Sequence, residues 1–206
     1  VARQRLGEVA HVFAGVSRYG RTVLLAPASV ADRRRRKQSV EEVRLLRLSA
    51  VTDQGLNLND CEPVFVTDRN DLKAYTLRAG DVVLTGRSTT LRVCLAPVEA
   101  TGMPISGHLL AVRPMPDRLD GRLLMAFLRH PRGEAALLQR SGTSTAQLNV
   151  TVRALQELAI PLPPLDRQRL LADLIQAADE QCRAAIAAAD KGYAIALQIV
   201  MDQLGG

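Results

Sequence analysis

Three polar stretches of this 206-residue chain hold the side chains suited to gripping a charged or hydrogen-bonding ligand. GRSTTLR (86–92) sets Arg87 and Arg92 around the hydroxyls of Ser88, Thr89 and Thr90. An arginine fork fits the guanine edge in the major groove, and hydroxyls bond to base edges or phosphate. The plainer alternative is a polar hairpin turn. GTSTAQLN (142–149) offers Thr143, Ser144, Thr145 and Gln147. A glutamine can pair bidentately with adenine, while the competing reading is an ordinary loop with a local cap. The third stretch, Arg33-Arg34-Arg35-Arg36-Lys37, reads as a mobile loop that could hold phosphates, although charge runs are usually solvated surface.

Bond-making chemistry is harder to find. The sole Pro-Pro pair, Pro163-Pro164, runs into Leu165 rather than into an aromatic that could stack on a flipped base. No GK[ST] phosphate loop occurs, and no carboxylate–lysine cluster of nuclease type stands out. His11, His108 and His130 lack metal-ligand spacing, and His130 before Pro131 reads as a helix end. Ser141 and Ser144 have no triad signature around them. Cys61, Cys94 and Cys182 are far apart with no CxxC pair, which suggests neither zinc nor a disulfide framework and fits a reducing cytosol. The chain reads as non-catalytic, with no metal.

The elements that must position these stretches follow from composition and periodicity. Net charge is +6, which favours an acidic partner such as nucleic acid. Hydrophobic residues make up 47% but aromatics only 3%, so the core must be built from Leu, Val, Ile and Ala. The opening VARQRLGEVA has no signal-type apolar centre, and no uncharged apolar run reaches about 18 residues, so the expectation is a cytoplasmic protein with no membrane partner. LGEVAHVF (6–13) is ambiguous between strand and helical turn. Strands are expected over 43–51, over the alternating LNLND (56–60) after a Gln54-Gly55 turn, over VVLT (82–85) after a Gly-Asp turn, and over 92–98 and 108–114. The period then changes: 120–130 places Leu123, Leu124, Phe127 and Leu128 on one helical face, with Asp120 as cap and Pro131 as stop. Further helix is expected over 133–140 and 152–158, the latter capped by Thr151.

Prolines 161, 163 and 164 force an extended segment. From Asp166 to Leu204 there is no proline, and one helix of that length spans about 58 Å. Leu171, Ile175, Ala178, Cys182, Ala185 and Ala189 step along one face, continued on a neighbouring stripe by Leu197, Val200 and Leu204. Gly192 is its weak point. So long a stripe needs a partner helix, and its small residues suit a close coiled coil. The expected architecture is α+β: a mixed domain over 1–165, then the long helix over 166–206.

The order of these pieces resembles the specificity subunit of type I restriction-modification systems. In that family a recognition domain ends in a polar loop and a PLPPL–EQ style segment, then enters a long helix. Here the corresponding run is GTSTAQLNVTVRALQELAIPLPPLDRQRLLADLI (142–175), with Asp166-Arg167-Gln168 departing slightly from the family's Glu-Gln. RLGEVAHVFAG (5–15) and LRAGDVVLTGRS (77–88) are also similar to it. A standard subunit has two recognition domains and two helices, and this chain supplies one of each, so it resembles a half-subunit. The resemblance implies a DNA target recognition domain whose double-stranded DNA contacts lie in the three polar stretches. It implies no cofactor in this chain, with S-adenosylmethionine held by a partner adenine methyltransferase subunit. It further implies a restriction/translocase subunit as a second partner, a role in phage defence, and a homodimer joined through the helix. The rival reading is a structural or regulatory adaptor that binds no DNA and assembles a defence complex through its helix.

Overall fold

The computed structural model describes residues 2–17, 24, 27–36, 39–141 and 148–204. In chain order, β1 (Arg3–Arg5) enters a single helical turn, α1 (Leu6–Val9), and then β2 (Ala10–Ala14). α2 (Pro27–Arg35) precedes β3 (Glu41–Leu46), a small hairpin of β4 (Val51–Thr52) and β5 (Gly55–Leu56), and β6 (Cys61–Val66). β7 (Val82–Thr85), β8 (Arg87–Ser88), β9 (Val93–Leu95) and β10 (Leu109–Pro114) follow. The chain then becomes mostly helical, with α3 (Gly121–Arg129), α4 (Pro131–Leu138), β11 (Leu148–Asn149), α5 (Val152–Gln156), β12 (Ala159–Pro161) and α6 (Leu165–Gln203).

The centre is a four-stranded antiparallel sheet in the order β2-β10-β7-β9. All four residues of β7 are buried, because strand side chains alternate between two faces and both faces here are covered. On one side Val12, Val82, Leu84 and Val112 pack with Leu124 and Leu128 of α3, Leu137 of α4 and Leu155 of α5. On the other, Phe13, Val83, Cys94 and Ala111 meet Leu46, Val51, Leu77 and Ile105. A third cluster of Val16, Leu45, Val64, Val66 and Leu72 lies against the β3–β6 ribbon. Each fully buried Leu or Val contributes about 1.5–3 kcal/mol. Burial pushes the Cys94 thiol up to about 12, against the pull of Arg129, so it stays a neutral packing group.

One ion pair is set into this packing. Asp81, 1% exposed, accepts from Arg113 Nε and Nη2 at 3.0 and 2.7 Å and from the Arg78 amide at 2.8 Å. Arg113 also donates to the Thr76 carbonyl and lies over the Phe13 ring. The turn entering β7 places Gly80 at φ +83°, a conformation that favours glycine. Downstream, Asp120 caps α3 by accepting from the Arg122 amide at 2.8 Å, and His130 closes α3 while its Nδ1 accepts from the Arg132 amide to start α4. Thr151 caps α5.

α6 is one helix of 39 residues, or about 58 Å. Its base is fastened by Gln168, 2% exposed, whose Nε2 donates to the carbonyls of Arg118 (3.0 Å) and Pro163 (2.9 Å). Its Oε1 accepts from the Asp120 amide at 3.1 Å. Arg122 adds a second tie, donating to both Asp120 oxygens, to Asp173 at 2.6 Å and to Gln176 at 3.1 Å. Of the expected stripe, Leu171 and Ile175 are half-buried, whereas Ala178, Cys182, Ala185, Ala189, Leu197, Val200 and Leu204 are exposed. An 18-residue window of α6 reaches mean hydropathy 1.3, so by length and composition alone the helix could cross a membrane; Asp190 and Lys191 interrupt its apolar part.

The structure corrects four local expectations. The segment 6–13 is neither strand nor helix alone but a helical turn followed by β2. The expected strand over 43–51 splits into β3, a 3₁₀ turn at Leu48–Ala50 and β4. LNLND contributes only Leu56 to a strand, because Asn57 Oδ1 accepts from the Asn59 amide and turns the chain. Arg33, Arg34 and Arg35 belong to α2, with Arg36 in the turn after it, and not to a loop. Arginine is a good helix former, and a helix beginning at Pro27 loses no hydrogen bond there.

Candidate nucleic-acid interface

The GRSTTLR segment is a loop pinned at its base by the residue before it. Thr85, 2% exposed, donates from Oγ1 to the Thr90 carbonyl (2.9 Å) and accepts on the same atom from the Arg92 amide (3.0 Å). Its own amide donates to the Arg92 carbonyl at 3.0 Å. A buried hydroxyl thus ties the end of β7 to the start of β9, and residues 86–91 project as a closed excursion. Within it the Thr90 amide donates to Ser88 Oγ at 3.3 Å. Arg87, Thr89, Thr90 and Arg92 are exposed and Ser88 is half-buried.

The fold then brings the far segment to this loop. β8 pairs antiparallel with β11, placing Ser88 opposite Leu148 and Arg87 opposite Asn149. The Val150 amide donates to the Gly86 carbonyl at 2.8 Å, and the Gly86 amide to the His108 carbonyl at 2.8 Å. Gly86 is held so close to β10 that an added Cβ would lie 3.1 Å from the His108 oxygen and 3.2 Å from Leu110 Cγ. Asn149, exposed beside Arg87, belongs to the GTSTAQLN stretch but was not among the contact residues expected from the sequence; its amide is of a type that can pair with adenine. Thr143, Ser144, Thr145 and Gln147, like Lys37, lie outside the described residues.

The other candidates sit apart from that pair of strands. Arg92 reaches from the loop's end toward the β4–β5 hairpin, its Nε 3.7 Å from Asp53 Oδ1, an exposed pair. Arg34 lies over the Phe65 ring of β6 at 5.3 Å. Arg33 is half-buried, while Arg35 and Arg36 are exposed. Among the described residues no group of three or more His, Cys, Asp or Glu side chains gathers as metal ligands.

No family model matches the chain. The putative type I restriction enzyme MjaX specificity subunit of Methanocaldococcus jannaschii is 22% identical over 135 residues, which is 64% of this chain and 32% of that protein. The HsdS subunit from Thermoanaerobacter tengcongensis has a TM-score of 0.58 at 20% identity, over 89% of this chain and 43% of its own. A chain from a study of complex assembly and conformational transition of the type I R-M system gives 0.63 at 19%, with the same coverage. The chain resembles type I specificity subunits. It spans about a third of the curated relative's length and 43% of each solved chain.

The segments that resemble specificity-subunit motifs have local physical reasons. Gln168, the glutamine after the proline segment, satisfies three backbone groups where the body meets α6. Pro161 ends β12, which pairs with β1 from Arg3↔Pro161 to Arg5↔Ala159 and so binds the start of the chain to the segment that leads into the helix base. Burial by itself would raise the Asp120 carboxyl, but the hydrogen bonds and charge of Arg122 outweigh it and hold the group below its ordinary range. The same bonds, with those to Asp173, raise Arg122. Sequence reasoning named Asp120 only as a cap and missed Arg122, Asp173 and Gln176 as its partners.

Proposed function

We propose that the chain recognises a double-stranded DNA sequence and directs an adenine methyltransferase to it, without catalysing a reaction itself. The pairing of β8 with β11 carries this reading. It joins two polar segments sixty residues apart into one exposed edge, with Arg87 beside Asn149, and anchors that edge to a rigid sheet. Loops held by a rigid scaffold are where recognition residues usually sit. Phosphate contacts would supply affinity and groove contacts specificity. In this reading S-adenosylmethionine belongs to the methyltransferase partner, a restriction/translocase subunit joins the same assembly, and the complex acts in cytoplasmic phage defence. The exposed stripe of α6 supports pairing with a second long helix, and a second copy of this chain would place two recognition bodies at opposite ends of an antiparallel pair. The test is a map of methylated adenines in cells with and without this protein beside the methyltransferase. A sequence motif whose methylation disappears with the chain is the expected result; an unchanged methylation map refutes the proposal.

A further inference from the structure

A further group of positive charges is formed by residues outside the three polar stretches. Arg5 of β1, Arg140 after α4 and Glu157 after α5 line one open concavity with Ala159 of β12. Arg153, one helical turn before Glu157, donates from Nε to Glu157 Oε1 at 2.8 Å. Arg153 remains 85% exposed in that contact, so its guanidinium is offered to solvent and not enclosed by the pair. Arg5 and Arg140 are exposed as well. Arg153 by its bond, and Arg5 and Arg140 by lining the same concavity, set three cations around one anion, and the Glu157 carboxyl is held below its ordinary range first by Arg153 and then by Arg5 and Arg140. A single arginine would neutralise that carboxylate. The remaining positive charge repels itself and is relieved by a further anion.

We propose that Arg5, Arg140 and Arg153 form a phosphate-binding patch that holds the DNA backbone beside the β8–β11 edge. This rests on the reading of the chain as a DNA-recognition protein. Position argues for it: α5 is the next element after β11, and Arg153 follows Asn149 by only four residues. Chemistry does too, since all three cations are arginines, whose planar fork matches phosphate oxygens in pairs. Because the patch reads no base edge, it contributes equally to every sequence and positions the body for the loops that do. Glu157 orders Arg153 and limits the positive charge, and so weakens non-specific binding.

The test uses the full chain and a mixed-sequence 30-base-pair duplex, titrated at several salt concentrations. Arg5→Ala, Arg140→Ala and Arg153→Ala are each expected to weaken binding several-fold and to lower the salt slope by about one. Glu157→Gln is expected to move the other way, tightening binding. All four positions are exposed, so the variants fold as the parent does. Arginine variants that bind like the parent, while Arg87→Ala binds less tightly, overturn the patch and leave the recognition reading intact. Arginine variants that keep DNA binding but lose the methyltransferase also overturn it, assigning the patch to an acidic protein surface. A parent chain that retains no duplex at low salt overturns both readings.

Discussion

The two ends of α6 obey different rules. At its base a buried glutamine amide meets three backbone groups, Ala172 is buried, and Arg122 ties Asp173 and Gln176 to Asp120. From Gln181 to Leu204 every residue is exposed, including Ile186, Tyr193, Ile195, Ile199 and Met201. The base is therefore specified by contacts that this chain makes with itself. The distal part is specified by helix propensity, and its apolar side chains are exposed among the described residues. Where a helix starts and how it leaves a domain can thus be encoded in a few polar groups, while what it meets is left to another surface.

The largest effect should come from breaking the base. Gln168→Leu strands the Asp120 amide and the carbonyls of Arg118 and Pro163, part-buried groups whose loss costs about 1 kcal/mol each. We expect a loss of about 3 kcal/mol in urea unfolding and faster amide exchange over 165–176; a loss below about 1 kcal/mol would mean that packing alone fixes the base. Acid should act on the same joint. The Asp120 pKa is depressed on folding, so its contribution is complete above the ordinary value of 3.8 and disappears as pH falls through the lower folded value. Asp120→Asn should flatten stability against pH below 4 while leaving the amide exchange of 181–204 unaltered. At the distal end Gly192 has open space around it, and Gly192→Ala should strengthen the helix by up to about 1 kcal/mol, seen as slower exchange confined to that region. The smallest effect on the body is expected from Ala178→Asp and Ala185→Asp, about 0.7 kcal/mol of helix propensity each. Both should nevertheless abolish association in sedimentation, because a charge in a helix seam is buried unpaired. Association that survives both substitutions would remove the seam and, with it, the contrast between the two ends.

What was legible in the sequence was whatever repeats over several residues. The buried strands 82–85 and 109–114, the capped helix 121–129 and the proline-bounded start of α6 all carry their signal locally. β6 was missed because Glu62 and Pro63 break its alternation; it survives as half of a two-stranded ribbon, where Pro63 faces Arg44. The basic run was misread because charge indicates exposure, not backbone conformation, and an exposed stretch can still be helical. The candidate interface was legible only in pieces. Two-residue strands have no periodicity, so nothing near Arg87 announces Asn149 as its neighbour. The patch around Glu157 draws from three separate segments for the same reason.

Gln168 has a mechanical consequence that its hydrogen bonds do not suggest by themselves. α6 is a lever whose fulcrum is that one amide and the arginine beside it. A tilt of about 5° at the fulcrum would sweep the far end of a 58 Å arm through about 5 Å, more than one base-pair step along a duplex. The direction of so long an arm is decided at its hinge rather than along its shaft, and that is where this chain has placed its buried polar contacts.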